Sequence, residues 1–311
     1  MHRLHIGIAG AGAVGCHYGS RLLQAGCHVT FLARGAHLQA LQRDGLHHQT
    51  LTGTHRFTVT ATDQPAALAD CDVVLLCCKM TGLPAMLAAL QGQLRSDALL
   101  ITLQNGVEAP AAVAAAFPQH PIIAGTAFIG ARRTAPGAIL HSAAGGLRLA
   151  SWRESGQQTD PRLEQLLAAL HAADVPTRLE SDADAMLWRK LLWNCGFNAM
   201  TALTRQYAKQ VAADAELCAL VREAMAEAVS VAQRAGIAIG QEDIDKHIAV
   251  TLAMGEVKTS MWQDLEADQR TEVDFINGTI VRQAADLQIP APINRMLTAL
   301  IHAQEQQLSR Q

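Results

Sequence analysis

This chain lacks the charge bias and the long apolar runs by which nucleic-acid-binding and membrane proteins are recognised. Its 25 lysines and arginines nearly balance its 28 acidic residues, for a net charge of −3, with neither a basic run nor an acidic tail. No apolar stretch reaches the roughly eighteen residues that a transmembrane helix requires. An apolar strand begins close to the N-terminus, so we expect no secretory signal. We therefore expect a cytoplasmic protein that binds neither nucleic acid nor membranes.

Cysteine and histidine are present, but without the spacings that metal sites use. The seven cysteines form no Cys-x-x-Cys pair and do not combine with nearby histidines in a zinc pattern. They are typical of small buried side chains in a reducing compartment. The thirteen histidines, His47 and His48 among them, are scattered without a ligand spacing. We therefore expect no metal.

The apolar content indicates how many cores the chain forms. Half of the 311 residues are apolar, which is more than one hydrophobic core usually supports, so we expect two domains. In the first half, apolar segments alternate with alanine-rich helical ones, which is typical of a parallel sheet covered on both faces. The predicted parallel strands are 4–9, 28–33, 72–78 and 98–103.

After residue 120 the pattern changes twice. Short strands that suggest an antiparallel extension of the sheet are predicted around Ile122–Ile129, Ala138–His141 and Leu147–Ala150, split by Pro136-Gly137 and Gly145-Gly146. From Asp182 onwards the pattern is helical, with breaks near 236–240, 255 and 289–292. We predict an α/β domain over residues 1–178 and an all-helical domain over residues 182–311.

A glycine-rich turn follows the first strand. Residues 4–15 read Leu-His-Ile-Gly-Ile-Ala-Gly-Ala-Gly-Ala-Val-Gly, so Gly10-x-Gly12-x-x-Gly15 lies between an apolar strand and a helix-forming segment. In this context Gly10 permits the tight turn, Gly12 lets the backbone approach a pyrophosphate, and Gly15 allows close helix–strand packing. The helix N-terminus would offer N–H groups to the phosphates. The motif predicts a Rossmann-type dinucleotide-binding domain.

The end of the second strand indicates which dinucleotide is bound. An acidic residue about twenty residues after the glycine motif would bind the ribose 2′-hydroxyl of NAD. This chain has Arg34 there, and the nearest acid downstream, Asp44, lies well past the strand. A guanidinium suits a 2′-phosphate, so the sequence favours NADP. The alternative is a solvated loop arginine without a role in binding.

A polar stripe lies on an otherwise apolar helix of the second domain. Lys190, Asn194 and Asn198 recur every four residues and so share one narrow side. Apolar side chains occupy most other directions, and a helix that is apolar nearly all round is buried. We therefore expect the stripe to line an internal cleft, the alternative being a solvated face. Burial would draw the pKa of Lys190 towards neutrality, as suits a general acid that protonates a carbonyl oxygen.

Two residues near the C-terminal end are further candidates. Glu272 shares one side of a predicted helix with Phe275, Ile276 and Thr279, so we expect it to face inward and to orient the lysine. Ser260 precedes a segment that the helical pattern alone does not distinguish from ordinary structure.

Two first-domain residues follow predicted parallel strands. Lys79 comes directly after strand 72–78, and Asn105 follows strand 98–103. Ligands of open α/β sheets bind at the carboxyl ends of the strands. Lys79 would meet a cofactor phosphate, and Asn105 the substrate or the cofactor ribose; each is alternatively a turn residue.

Together these segments resemble the ketopantoate reductase family, also called 2-dehydropantoate 2-reductases, over essentially the whole chain. The first-domain matches are Gly10–Gly15, Arg34, Lys79 and Asn105-Gly106. The second-domain matches are Leu187–Lys190 with Asn194 and Asn198, Ser260–Asp264, and Thr271–Gly278. The resemblance implies an NADPH-dependent enzyme that transfers a hydride to C2 of 2-dehydropantoate, forming (R)-pantoate for pantothenate and coenzyme A biosynthesis.

The resemblance also implies roles for individual residues. Lys190 would donate the proton, and Glu272 would position it. The substrate would be bound by Asn105, Lys190, Asn194, Asn198 and Ser260, and the cofactor by Gly10, Ala11, Gly12, Ala13, Val14, Gly15, Arg34, Lys79, Asn105 and Ala131. Members commonly carry an asparagine where this chain has Val257, a departure that bears on which substrate is used.

Two other functions stay open. The same chemistry could act on another branched or aromatic 2-oxo acid, because the family also contains such reductases. A non-catalytic NADP-binding sensor is the further alternative, although a sensor has no need of a buried lysine opposite an acid. In the enzymatic interpretations the partner is a small 2-oxo acid, and a homodimer is one assembly that the sequence permits.

Overall fold

The computed structural model describes residues 3–152 and 160–308. The chain folds into two compact units, the first formed by Met1–Gln104 and Glu108–Ala183, the second by Asn105–Val107 and Asp184–Gln311. Each unit has its own core of buried apolar side chains. Within the described ranges, no helix is both long and apolar enough to cross a bilayer.

The first unit is built on a ten-stranded mixed sheet. Its strands are β1 His5–Ala9, β2 His28–Leu32, β3 Leu46–Thr50, β4 Gly53–Phe57, β5 Thr60–Thr62, β6 Val73–Leu76, β7 Leu99–Thr102, β8 Ile122–Ala135, β9 Ala138–Ser151 and β10 Thr177–Leu179. Its α-helices are α1 Ala13–Gln24, α2 Gly35–Asp44, α3 Leu83–Leu90, α4 Ala109–Ala116 and α5 Pro161–Ala172. The strand order is β4-β3-β9-β8-β7-β6-β1-β2-β5, and β10 pairs with β9.

The centre of the sheet is the parallel array expected from the apolar runs. β1 pairs in parallel with β2 and β6, and β7 pairs in parallel with β6 and β8. Every residue of β6 and of β7 is buried, because helices cover both faces of a parallel sheet. The four predicted parallel strands and the α/β class of this unit are confirmed.

The antiparallel extension is confirmed, but its division into three short strands is wrong. β8 and β9 are 14 residues each and pair antiparallel along their length. Gly137, with φ of +74°, forms the turn between them, whereas Gly145, with φ of +123°, lies inside β9. The register shifts there, since Phe128 pairs with Gly146 but Ile129 with Ala144. A glycine that permits a β-bulge therefore looked like a strand end in the sequence.

Four strands were not predicted, namely β3, β4, β5 and β10. β3 reads Leu-His-His-Gln-Thr and β4 reads Gly-Thr-His-Arg-Phe, with four of the five β4 residues exposed. These segments lack the apolar content on which strand prediction depends. They pair as an antiparallel hairpin, and β3 continues the sheet by parallel pairing with β9.

The second unit is helical after Asp184. Its helices are α6 Ala183–Thr204, α7 Ala208–Ala213, α8 Ala215–Arg234, α9 Gln241–Ala253, α10 Ser260–Glu266, α11 Asn277–Asp286 and α12 Pro292–Leu308. No strand occurs between residues 184 and 308, and the three predicted breaks are confirmed. Further breaks, which were not predicted, separate α6 from α7, α7 from α8 and α10 from α11.

A buried polar network joins four helices of the second unit. The Asn277 side chain donates to the carbonyl oxygen of Cys195 (2.8 Å) and to Oδ1 of Asn294 (2.9 Å). Asn294 in turn donates to the carbonyl oxygen of Ala224 (2.9 Å) and to a carboxylate oxygen of Glu227 (2.7 Å). Both asparagines are fully buried, so these bonds fix how α6, α8, α11 and α12 pack in this core.

Candidate functional site

The glycine turn of the first unit has the geometry of a dinucleotide cradle. Gly10 has φ of +106°, and a Cβ atom there would lie 2.6 Å from the backbone nitrogen of Cys78. A Cβ at Gly15 would collide with the carbonyl oxygen of Gly10, whereas one at Gly12 would meet no atom within 4 Å. Gly12 is also the N-cap of α1, without a side-chain cap. Open space beside uncapped helical N–H groups fits a bound phosphate.

The ends of neighbouring strands carry the other first-unit candidates. Arg34 is exposed and precedes α2 directly after the end of β2, and Lys79 is exposed shortly after β6. Ala131 is partly buried in β8, paired with His141 of β9.

Gln104, at the end of β7, was not singled out in the sequence. Its Nε2 donates to the carbonyl oxygens of Leu76 (3.0 Å) and Cys78 (3.2 Å), so it ties the end of β7 to the end of β6 just before Lys79. Gln104 is buried, and its Oε1 has no hydrogen-bond partner among the described residues. A single glutamine after an apolar strand offers no sequence signal for this contact.

The polar stripe of the second unit lies on α6, as predicted. Asn194 and Asn198 are 5% and 2% exposed. Nδ2 of Asn194 and Oδ1 of Asn198 are buried without a hydrogen-bond partner in the described part of the chain. Buried polar atoms are nearly always hydrogen-bonded, so one donor and one acceptor are left available to a ligand.

Lys190 lies on the same stripe and is partly buried. Burial lowers the pKa of its ammonium group from 10.5 to about 8, and the attraction of the Glu272 carboxylate offsets part of that effect. The amine therefore remains mostly protonated at neutral pH but releases its proton more readily than an exposed lysine does. This is the state that a general acid requires.

Glu272 is buried, but it does not lie on a helix, and that part of the prediction is wrong. It directly precedes a short 3₁₀ turn, Val273–Phe275, and the chain bends at Ile276 before α11 begins. Hydrogen bonds hold this segment, because the Thr271 N–H donates to Glu305 (2.7 Å) and the Val273 N–H to the Thr271 hydroxyl (3.2 Å). The irregular backbone, rather than helical periodicity, turns the carboxylate inward.

Asn105 and Glu272 meet in the second unit. Nδ2 of Asn105 donates to Oε2 of Glu272 at 3.0 Å. The next residue, Gly106, has φ of +86°, and a Cβ there would lie 2.5 Å from the carbonyl oxygen of Phe275. The loop can approach the Glu272 segment this closely only because residue 106 is glycine. Asn105, Glu272 and Lys190 therefore form one cluster.

Ser260 stands apart from this cluster in its contacts. It is the exposed first residue of α10, and no hydrogen bond joins it to the α6 stripe within residues 160–308. Its neighbour Thr259 caps α10 and hydrogen-bonds to Thr201 of α6 at 2.7 Å, so the start of α10 is fixed against α6. Val257 contributes its carbonyl oxygen, which accepts from the Ala208 N–H at 3.3 Å.

Comparison with known proteins assigns both halves of the chain. Residues 6–154 match the family described as ketopantoate reductase PanE/ApbA, and residues 182–305 match its C-terminal counterpart. A 2-dehydropantoate 2-reductase of Halobacterium salinarum is 31% identical over 310 residues, covering 96% of this chain and 98% of the relative. The chain belongs to the ketopantoate reductase family. The family consists of oxidoreductases that use a nicotinamide dinucleotide.

Further comparisons agree with this assignment. A Streptococcus pyogenes 2-dehydropantoate 2-reductase is 29% identical and covers 98% of this chain and 99% of its own. A crystal structure of a PanE/ApbA family ketopantoate reductase from Ralstonia eutropha has a TM-score of 0.89, with 31% identity and coverage of 98% and 100%. A D-mandelate dehydrogenase structure with NADH and anilino(oxo)acetate has the same TM-score at 23% identity, and so shares the fold.

Proposed function

We propose that this ketopantoate reductase family member reduces 2-dehydropantoate to (R)-pantoate with NADPH, in pantothenate biosynthesis. One observation carries the proposal. Lys190, whose pKa is lowered to about 8, clusters with Glu272 and Asn105. It shares its side of α6 with Asn194 and Asn198, each of which has a buried polar atom without a hydrogen-bond partner in the described part of the chain. The names of the curated relatives support the substrate. In this proposal the first unit binds the cofactor and the second unit binds the substrate.

Lys190 is the general acid of the proposed reaction. When bound, the nicotinamide would supply a hydride to C2 of the 2-oxo acid. As the carbonyl π-electrons move onto oxygen, the Lys190 ammonium gives that oxygen a proton, which leaves a neutral amine and a 2-hydroxy acid. Solvent then reprotonates the amine. Glu272 positions the ammonium and keeps it charged, because its carboxylate raises the pKa that burial lowers.

The asparagines provide recognition in this proposal. Nδ2 of Asn194 is a donor suited to the substrate carboxylate, and Oδ1 of Asn198 is an acceptor suited to a substrate hydroxyl. Asn105 and Ser260 complete the set of substrate contacts. A site that hydrogen-bonds a particular hydroxyl can reject an analogue lacking it by about 10⁴-fold or more.

The turn at Gly10–Gly15, together with Arg34, Lys79, Asn105 and Ala131, would hold the cofactor. The uncapped N-terminus of α1 suits the pyrophosphate. The exposed guanidinium of Arg34 suits a 2′-phosphate, which favours NADP over NAD. We propose the cytoplasm as the compartment, and the seven free thiols support a reducing one.

A second candidate is the reduction of a different branched or aromatic 2-oxo acid. The apolar side chain of Val257 stands where a polar one is common in the family, and the neighbour of the same fold is a dehydrogenase of the aromatic 2-hydroxy acid mandelate. Both functions use Lys190 as the general acid and the same hydride transfer, so only the substrate distinguishes them.

The decisive experiment is the initial rate of NADPH oxidation with 2-dehydropantoate, pyruvate, 2-oxoisovalerate and phenylglyoxylate, repeated with NADH. Efficient turnover of 2-dehydropantoate alone, and with NADPH, is expected. Preference for another 2-oxo acid would support the second candidate. If no acid in the panel is reduced although NADPH binds, both enzymatic proposals fail and a sensor becomes the better interpretation.

A further inference from the structure

Three histidines from distant parts of the first unit meet in its interior. His17 lies on α1, His48 on β3 and His141 on β9, and they are 1%, 1% and 5% exposed. One ring nitrogen from each lies within 4.8 Å of the other two. We expected no metal because the histidines have no metal-ligand spacing along the chain. The folded unit nevertheless brings them together.

Hydrogen bonds fix the tautomer of His48. The Ser20 hydroxyl donates to the carbonyl oxygen of His17 at 2.8 Å, so the Ser20 oxygen accepts from Nδ1 of His48, 2.9 Å away. Nδ1 of His48 therefore carries the ring proton, and its Nε2 presents a lone pair. This Nε2 lies 3.2 Å from Nδ1 of His17.

Backbone oxygens fix the tautomer of His141 in the same way. Its Nε2 lies 2.8 Å from the carbonyl oxygen of Ala144 and 3.2 Å from that of Ala143. Carbonyl oxygens only accept, so Nε2 is the protonated nitrogen. Nδ1 of His141 therefore presents a lone pair, yet it is buried with no hydrogen-bond partner among residues 3–152 and 160–308. Such an atom calls for a ligand.

The third ring can present a lone pair as well. Without a ligand, Nδ1–H of His17 donates to Nε2 of His48. When the ring proton of His17 resides on Nε2 instead, Nδ1 of His17 carries a lone pair, and this nitrogen faces Nε2 of His48. Neutral imidazole is the form that binds metals, and each of the three rings then presents one nitrogen lone pair.

We propose that His17, His48 and His141 form a binding site for Zn²⁺ or a similar late first-row divalent cation, with one ring nitrogen from each as ligand. Neutral imidazoles suit such ions, whereas Mg²⁺ and Ca²⁺ prefer oxygen. Two nitrogens on tetrahedral Zn²⁺, with bonds of about 2.0–2.1 Å, lie about 3.4 Å apart, close to the observed 3.2 Å. The fourth position would be taken by water or a small anion.

The surroundings determine what the cation would do. The positively charged Arg21 acts electrostatically on both His17 and His48 and so opposes a cation. The affinity must therefore come from all three imidazoles together. Bound metal would cross-link α1, which begins at the glycine turn, to two strands far along the chain. Because the ligands meet only in the folded chain, the cation would stabilise this unit against unfolding.

The test uses the full chain, freed of metal by chelation, and measures Zn²⁺ by competition with a chromogenic indicator. One equivalent per chain is expected. Substituting His48→Ala or His141→Ala should weaken binding by at least about 100-fold, and Ser20→Ala by about 10–100-fold, the range for a residue that orients a ligand. The matched control is His47→Ala, since His47 neighbours His48 in β3 but points to the other face of the sheet. It should bind as the wild type does.

A second measurement needs no variant. X-ray absorption at the zinc edge of the loaded wild-type protein should show three imidazole ligands and no sulfur, and Co²⁺ in place of Zn²⁺ should give visible absorption typical of tetrahedral coordination. No stoichiometric binding, sulfur ligation by cysteine, or equal affinity of His48→Ala and the wild type would each overturn the proposal. The three histidines would then be a hydrogen-bonded cluster in the core.

Discussion

The pH dependence of catalysis tests whether Lys190 is the proton donor. A general acid must be protonated, so kcat/KM should fall as pH rises through the pKa of Lys190, about 8. A group with that pKa is about 90% protonated at pH 7 and about 10% protonated at pH 9, so a roughly tenfold decrease is expected across this interval. A lysine at its ordinary value of 10.5 would give an almost flat profile over the same range.

Substituting Glu272→Gln makes the test specific. The carboxylate raises the pKa of Lys190 against the effect of burial, so its removal should move the descending limb of the profile to lower pH. The control is Asp274→Asn, because Asp274 lies two residues away but pairs with His302 at 2.9 Å. The assay is the initial rate of NADPH oxidation from pH 6 to pH 10 at low substrate concentration. A midpoint near 10.5 in the wild type, or an identical midpoint in Glu272→Gln, would refute the assignment.

Three further outcomes are expected. Lys190→Ala should lower kcat by about 10²–10⁴-fold in steady-state assays while NADPH titration shows nearly unchanged binding, because positioned proton transfer contributes that much; an unchanged kcat would remove Lys190 from the mechanism. Arg34→Ala should weaken NADPH binding by about 1.5–3 kcal/mol with little effect on NADH, the range for hydrogen bonds to charged groups; equal losses would mean that Arg34 does not contact the 2′-phosphate. Asn294→Ala should lower the free energy of unfolding by at least about 1–3 kcal/mol in urea titrations, since it leaves the Asn277 amide and Glu227 with unmade hydrogen bonds; a smaller loss would show that the network adds little to stability.

Local sequence patterns predicted those features that depend on neighbouring residues. Continuous apolar runs identified the central parallel strands, because β6 and β7 are buried on both faces. The interval of four residues placed Lys190, Asn194 and Asn198 on one side of α6, since a helix repeats every 3.6 residues. The glycine turn at Gly10–Gly15 was also predicted locally, from a glycine motif between an apolar strand and a helix-forming segment.

Features that depend on one irregular residue or on distant segments were not predicted. Glu272, Ile276 and Thr279 have the spacing of a continuous helix, and nothing in that pattern shows that the backbone bends at Ile276. The bulge at Gly145 and the bridging amide of Gln104 likewise depend on the partner strand. The histidine cluster combines a helix and two strands, and spacing along a chain carries no information about such a meeting.

The grouping of Asn105–Val107 with the helical unit matters for anyone who recombines members of this family. A fragment that starts at Asp184 would lack the amide that donates to Glu272 and the glycine that lets the loop approach Phe275. In a chimera that takes residues 1–183 from one parent and the rest from another, residues 105–107 would come from one parent and the helices that they contact from the other. To keep the Asn105–Glu272 hydrogen bond and the close approach at Gly106, residues 105–107 must come from the same parent as the helices.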